Sequence, residues 1–279
     1  MTDVRKVPAG DGAEWLLGGF ALLRRAPLQL GLLGLIWGAL SALASMIGSF
    51  PALAMWLLGP VLFAGLIHAA REVDAGRPAQ PALLFHGLGN GRALSLLTLL
   101  LPQIGALLVM GVVFFAMLTE SELQQITSVV EQIQANPAAQ PELIQTLPQD
   151  KISQFFLLAM FIVIVAGLFT FVATPEILYR GRSGFAAMGA SLRACLRNLP
   201  ALLVMTVLLV ITFIALSLAV GLVSGLLGWL IGAAAGQFVS QLLIFAVLMP
   251  VLAGLVYHAW RRMLGDSPVP PPVPGMVEA

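Results

Sequence analysis

Formal charge is what this chain lacks. Asp, Glu, Lys and Arg make up 10% of its 279 residues, against roughly a quarter in soluble globular proteins. Not one of them occurs in the 63 residues from Asn198 to Trp260. Charge is missing as well from Ala26 to Ala70, from Ala93 to Thr119 and from Ile152 to Pro175. A bilayer core takes about 20 apolar residues per helix, so these gaps are the length of membrane spans. They leave no ionisable group near mid-membrane of the kind a proton or ion pump carries.

Cysteine is equally scarce. Cys195 stands alone, which excludes an internal disulfide and a cysteine-based zinc site; it reads as a small apolar filler. Net charge is only +1, so bulk charge argues for no nucleic-acid partner. No cleavable leader is expected, because Asp3, Asp11, Glu14, Arg24 and Arg25 interrupt the first 25 residues. There is no His-Glu-x-x-His, no paired Asp motif, no Gly-rich phosphate loop and no Gly-x-Ser-x-Gly. The sequence therefore assigns no catalytic residue, no cofactor and no metal ligand, and favours a non-enzyme.

What is present is apolar: 59% of residues, with 28 Gly and 18 Pro, a usage normal in membrane helices. The expected fold is all-α, a polytopic helical bundle within residues 1–264, followed by a Pro-rich tail at 265–279. Spans are expected at about 28–50, 52–70, 94–118, 155–174, 201–221 and 237–260. Pro51 marks the first turn, and the Gly- and Ala-rich stretch 221–236 reads as a hairpin or a re-entrant turn. Residues 1–13 read as a loose lead-in. Pro60, Pro102 and Pro250 interrupt spans, each removing a backbone donor, and read as packed kinks or as hinges. Gln103, Gln237, Ser240 and Gln241 would line a cavity or bridge helices.

Short segments lie before the odd-numbered spans. In residues 14–25, Trp15, Leu16, Phe20 and Leu23 share a helical face, and Arg24 and Arg25 close the segment. It reads as an interfacial helix or as the first turns of a tilted span. Residues 78–93 and 185–199 repeat the theme; in the latter Met188, Leu192 and Leu196 oppose Arg193 and Arg197. The segment 119–153 is acidic. Thr119 and Glu122 have capping-box spacing, and Leu123, Ile126, Val130 and Ile133 fall on one face of a helix that Asn136-Pro137 ends. A shorter helical piece is expected at 142–147.

With the N-terminus inside, segments 1–27, 71–93, 175–199 and 261–279 hold 13 of the 14 Lys and Arg residues. Both termini are then cytoplasmic, by the positive-inside rule. The candidate headgroup contacts are Arg24, Arg25, His68, Arg71, Arg193, Arg197, His258, Arg261 and Arg262, facing membrane lipids, anionic ones by charge. Trp15 and Trp260 are expected in the same layer. His68, His86 and His258 would be the metal set if there were one. Glu176 can pair with Arg180, four residues on.

The chain also repeats itself. Pro60-Val-Leu-Phe-Ala-Gly-Leu-Ile-His68-Ala-Ala-Arg71 matches Pro250-Val-Leu-Ala-Gly-Leu-Val-Tyr-His258-Ala-Trp-Arg261, with Pro, His and Arg at the same offsets. Leu-Leu-Arg-Arg-Ala-Pro27 and Leu-Arg-Asn-Leu-Pro200 lead into odd spans. The pattern is one unit of interfacial helix, span, span, used three times in parallel.

Val7-Pro-Ala with Trp15-Leu-Leu-Gly-Gly-Phe-Ala-Leu-Leu-Arg-Arg-Ala-Pro27, and Pro-Val-Leu-Ala-Gly-Leu at 250–255, resemble an uncharacterised family of proteobacterial inner-membrane proteins. The resemblance runs from Val7 to about Met263. A looser one links the architecture to the membrane domain of some bacterial glycerophosphodiester phosphodiesterases, without their catalytic domain. The resemblance implies a multi-pass inner-membrane protein and brings no catalytic residues. Three functions are compatible with these residues: a non-enzymatic scaffold or envelope-homeostasis factor, a carrier of a small apolar or amphipathic solute, and a membrane enzyme acting on lipid.

Overall fold

The computed structural model describes residues 4–89, 91–136 and 140–265. Every regular element among them is helical. The chain runs through α1 (Asp11–Arg25), α2 (Pro27–Ile47) and α3 (Ser49–Asp74). A 3-10 turn (Pro81–Phe85) leads to α4 (His86–Gly89) and α5 (Ala93–Leu97), and a second (Thr98–Leu100) to α6 (Leu101–Met117). Then come α7 (Glu120–Ala135), α8 (Gln140–Gln145), α9 (Gln149–Thr170) and α10 (Ala173–Arg180). The last three are α11 (Gly184–Arg197), α12 (Leu199–Ile231) and α13 (Ala233–Met263). Six helical stretches are long and apolar enough to cross a bilayer: Pro27–Ile47, Ser49–Asp74, Ala93–Met117, Gln149–Arg180, Leu199–Leu230 and Ala233–Met263.

Their outer surfaces are apolar. Phe50, Leu222 and Trp229 are 82%, 74% and 86% exposed. Helices satisfy their own backbone groups, so such surfaces are stable against lipid. The protein is a polytopic helical membrane protein.

Glycine makes two of the hairpins. Gly48 (φ 149°) joins α2 to α3, and Gly232 (φ 99°) joins α12 to α13. Side-chain-bearing residues rarely adopt that backbone. The turn expected at Pro51 therefore falls at Gly48, and Pro51 sits in the first turn of α3, where its missing N–H costs nothing. The stretch 221–236 is not re-entrant. α12 runs on to Ile231 and α13 starts at Ala233. Small residues are needed there because a Cβ on Gly236 would lie 2.7 Å from the Ser224 carbonyl oxygen. Close helix approach, and no loop, is what Gly and Ala encode at this place.

α13 packs against α1, α2, α3 and α12. The contact with α1 is backbone to backbone: a Cβ on Gly19 would meet the Val251 oxygen at 2.4 Å. The buried face of α1 is Asp11, Gly12, Trp15, Leu16, Gly19 and Leu22, while Phe20 and Leu23 are half-buried. Trp15, expected at headgroup depth, is 1% exposed and lies 6.4 Å from the Phe171 ring. The small residues Gly12 and Gly19 bring α1 so close to its neighbours that the indole fills the core.

The segment Pro81–Phe85 packs on α3, and α11 packs on α9. α11 buries Ala187, Ala190, Ser191, Ala194 and Cys195, and leaves Leu196 outward. Of the face expected from Met188, Leu192 and Leu196, Met188 is buried, Leu192 half-buried and Leu196 exposed, because the small residues beside Met188 make the close approach. Ser191 repairs the break between α9 and α10. Its hydroxyl accepts from Val172 N–H (3.2 Å) and donates to Leu168 C=O (2.8 Å). The fourth span, expected to close at Pro175, continues to Arg180 because Pro175 occupies the first turn of α10. Pro60 and Pro250 lie inside their helices, and Pro102 lies in the first turn of α6.

α6 and α9 pair with each other. Their packing to the rest of the protein runs mainly through the 3-10 turn at 98–100, α10 and α11. At their far end α7 begins in a capping box: Thr119 Oγ1 accepts from Glu122 N–H, and the Glu122 carboxylate accepts from Thr119 N–H. The inward residue of α7 is Val129, not Val130, which is 47% exposed. The short helix after it spans Gln140–Gln145, two residues earlier than expected. Pro137 and the tail beyond Gly265 lie outside the described residues.

Candidate functional site

One end of the bundle collects nearly all the basic charge. The ends of α3, α10 and α13, the start of α1 and the lead-in meet there. The lead-in is not loose. Arg5 N–H donates to Met263 C=O (2.9 Å) and its guanidinium to Arg261 C=O (3.0 Å). Asn198, 1% exposed, accepts from Val7 N–H and donates to the Arg5 and Ala194 carbonyls. An amide before Pro200 gave no hint of that role, because Val7 and Arg5 lie nearly two hundred residues away.

Glu176 is the most deeply buried carboxylate of this end, at 0% exposure. Its Oε1 accepts from Trp260 Nε1–H at 2.7 Å and lies 3.6 Å from Arg180; Arg182 approaches Oε2 at 3.1 Å. The Arg180 pair follows from sequence spacing. Arg182 and Trp260 were not foreseen, since neither shares a helical face with Glu176. Arg180 also donates to the Leu264 carbonyl, and Arg92 to the Ile177 carbonyl (3.0 Å).

A stack of rings runs from here. Trp260 lies 5.1 Å from Tyr179, and Tyr179 lies 6.5 Å from His68. His68 stacks on His86 at 3.9 Å with the planes 6° apart. Arg71 sits 4.5 Å over the Tyr179 ring, whose hydroxyl donates to Ile67 C=O at 3.3 Å. His258 is elsewhere: it packs on α1, so that a Cβ on Gly18 would meet its ring at 2.5 Å. The three histidines do not converge. Among the described residues no group of three His, Cys, Asp or Glu side chains is placed to hold a metal ion.

The remaining candidates divide in two. Arg261 pairs with Asp74 (2.5 Å), whose Oδ2 also accepts from the Tyr257 hydroxyl (3.1 Å). Arg262 pairs with Glu14 (2.5 Å) and faces Asp11 (3.8 Å). Arg24, Arg25, Arg193 and Arg197 are exposed and form no ion pair among the described residues. Arg77 takes Glu72 in a two-toothed pair (2.5 and 2.7 Å).

Three cavities lie among the α6 and α9 side chains. One, about 290 Å³, is wholly apolar (Pro102, Val109, Phe161, Phe169). A second of the same size faces α3 and adds Trp56, Gln103 and Thr170. A third, about 220 Å³, lies under α7 between Phe114, Ile126 and Phe155. Gln237, Ser240 and Gln241 line none of them; Ser240 donates to its own helix at Gly236 C=O. Comparison with family models, curated proteins and solved structures returned no match.

Proposed function

We propose that this protein is a non-enzymatic scaffold, an envelope-homeostasis factor of the bacterial inner membrane, with both termini in the cytoplasm. The observation that carries the reading is the use made of charge. Glu176, through Trp260, ties α10 to α13, and Asp74, Asp11 and Glu14, through Arg261 and Arg262, tie α3 and α1 to α13. Groups held in this way build a rigid plate; a reaction centre would need them convergent and free to act. The exposed Arg24, Arg25, Arg193 and Arg197 form a belt that attracts anionic headgroups by up to about 1 kcal/mol each. The resemblance to the proteobacterial inner-membrane family belongs to the same reading.

The chain is built, in this reading, of three parallel units: α1–α3, residues 81–180 and α11–α13. Packing supports it. Each short leading segment seats on the second span of another unit: Pro81–Phe85 on α3 and α11 on α9, each of the unit before, and α1 on α13 of the last. A Cβ on Gly87 would strike the Val61 oxygen, and one on Gly19 the Val251 oxygen. Val61 and Val251 each follow the matched proline.

A carrier of an apolar or amphipathic solute is the second reading, favoured by the cavity at Trp56, Gln103 and Thr170. Mass spectrometry of the purified full chain separates the two. The scaffold retains phospholipid alone. One non-phospholipid molecule per chain, lost when Gly167→Phe fills that cavity, would replace the scaffold with the carrier.

A further inference from the structure

We propose that the cavity between the ends of α3 and α13 is a phosphate site, binding one singly charged phosphodiester or phosphate monoanion on Arg71. This goes beyond the scaffold reading and does not depend on it. The cavity measures about 390 Å³ and is lined by Arg71, Asp74, Arg77, Tyr257, Trp260 and Arg261.

The charges on its wall do not cancel. Arg77 is taken by Glu72 and Arg261 by Asp74. Arg71 forms no ion pair among the described residues. Its guanidinium is held over the Tyr179 ring, and Tyr179 is fixed by Ile67 and Trp260. A cation held in place before its ligand arrives loses little entropy on binding. A guanidinium fork matches two oxygens of a phosphate. Asp74, already on the wall, repels a second negative charge and so selects a monoanion.

The bland explanation is that arginines in a last helical turn offset the helix dipole. Here that work is done by other groups. At the end of α13 the Arg261, Met263 and Leu264 carbonyls accept from Arg5 and Arg180. At the end of α3 the Arg71, Glu72 and Val73 carbonyls accept from the N–H groups of Ala75, Arg77 and Gly76. Arg71 stands where α3 leaves its apolar run, which is headgroup depth for a spanning helix. The phosphate therefore has two sources, a phospholipid headgroup or a soluble phosphate.

Two measurements on the full chain distinguish them. Native mass spectrometry after release from phosphatidylglycerol vesicles reads retained lipid, and phosphorus NMR of inorganic phosphate added to the protein in detergent reads the soluble ion. One retained lipid per chain, reduced about tenfold by Arg71→Gln and unchanged by Arg193→Gln with Arg197→Gln, identifies the headgroup. Broadening of the phosphate line that Arg71→Gln abolishes, with no lipid retained, identifies the soluble ion. Arg71→Lys keeps the charge and loses the fork. It should give an intermediate occupancy at unchanged melting temperature, and it carries the test should the Gln variant fail to fold. The proposal is overturned if the unaltered chain binds neither probe. It is also overturned if changes at Arg71 and at Arg193 with Arg197 cost the same, because that is a diffuse belt.

Discussion

Glu176 sits where a misplaced charge would cost most, and the bundle depends on its partners being in place. Removing one member of a buried ion pair costs about 3–5 kcal/mol. Here Arg180 and Arg182 are 20% and 24% exposed and so keep part of their hydration, and Glu176→Ala should cost near the lower bound, about 3 kcal/mol. Trp260→Phe removes one donor and should cost about 1–3 kcal/mol. Thermal unfolding in detergent, with Leu196→Ala at an exposed site as control, measures both. Equal melting of Glu176→Ala and the control would mean that the pair holds nothing together. Sequence spacing disclosed Arg180 but not Trp260, because helical periodicity reaches four residues and not eighty-four.

Elements were legible wherever one force dominates. The absence of charge marked six apolar helices, and Thr119 with Glu122 marked the start of α7. Faces and turns were harder. α1 buries Gly12 and Gly19 beside the expected Trp15 and Leu16, and α11 buries Ala187, Ala190, Ser191 and Ala194 beside the expected Met188, while Leu196 faces out. In water the larger side chains would be buried; in lipid they lose nothing outside, and small residues gain close packing. The turn at Gly48 was hidden by Pro51, since a proline serves equally at a helix start.

Glu122 gives α7 a measurable pH dependence. Lys151 donates to its carboxylate at 2.7 Å and the Thr119 N–H and hydroxyl at 2.8 Å. They pull the carboxyl from 4.5 to about 2. A depressed folded value means stability that is complete above the ordinary value and is lost as pH falls through the folded one. The capping box should therefore persist at pH 4 and open near pH 2. Carboxyl carbon NMR of the full chain labelled at glutamate should give one resonance with its midpoint near 2, absent in Glu122→Gln. A midpoint at the ordinary value would show that Lys151 and Thr119 do not hold the group in solution.

The whole molecule is tight at its charged end and open at the other, where α6 and α9 touch mainly each other. Arg5 bonded to Met263 puts the lead-in and the end of α13 on one side of the bundle. The proposed orientation, with this side cytoplasmic, rests on charge. The segments gathered there carry 13 of the 14 basic residues, while 119–153 carries five acids and Lys151 alone. The membrane potential and anionic inner leaflet retain Lys and Arg on the cytoplasmic side. Single cysteines in place of the exposed Ala75, Ala135 and Ala186 test this with a membrane-impermeant maleimide on intact cells. The native Cys195 stays silent, because burial pushes its thiol up to about 12 and only the thiolate reacts. Position 135 should label from outside, and positions 75 and 186 only after the cells are opened. External labelling at either of the latter would invert the protein. It would also turn the arginine belt, and the cavity at Arg71, toward the opposite leaflet.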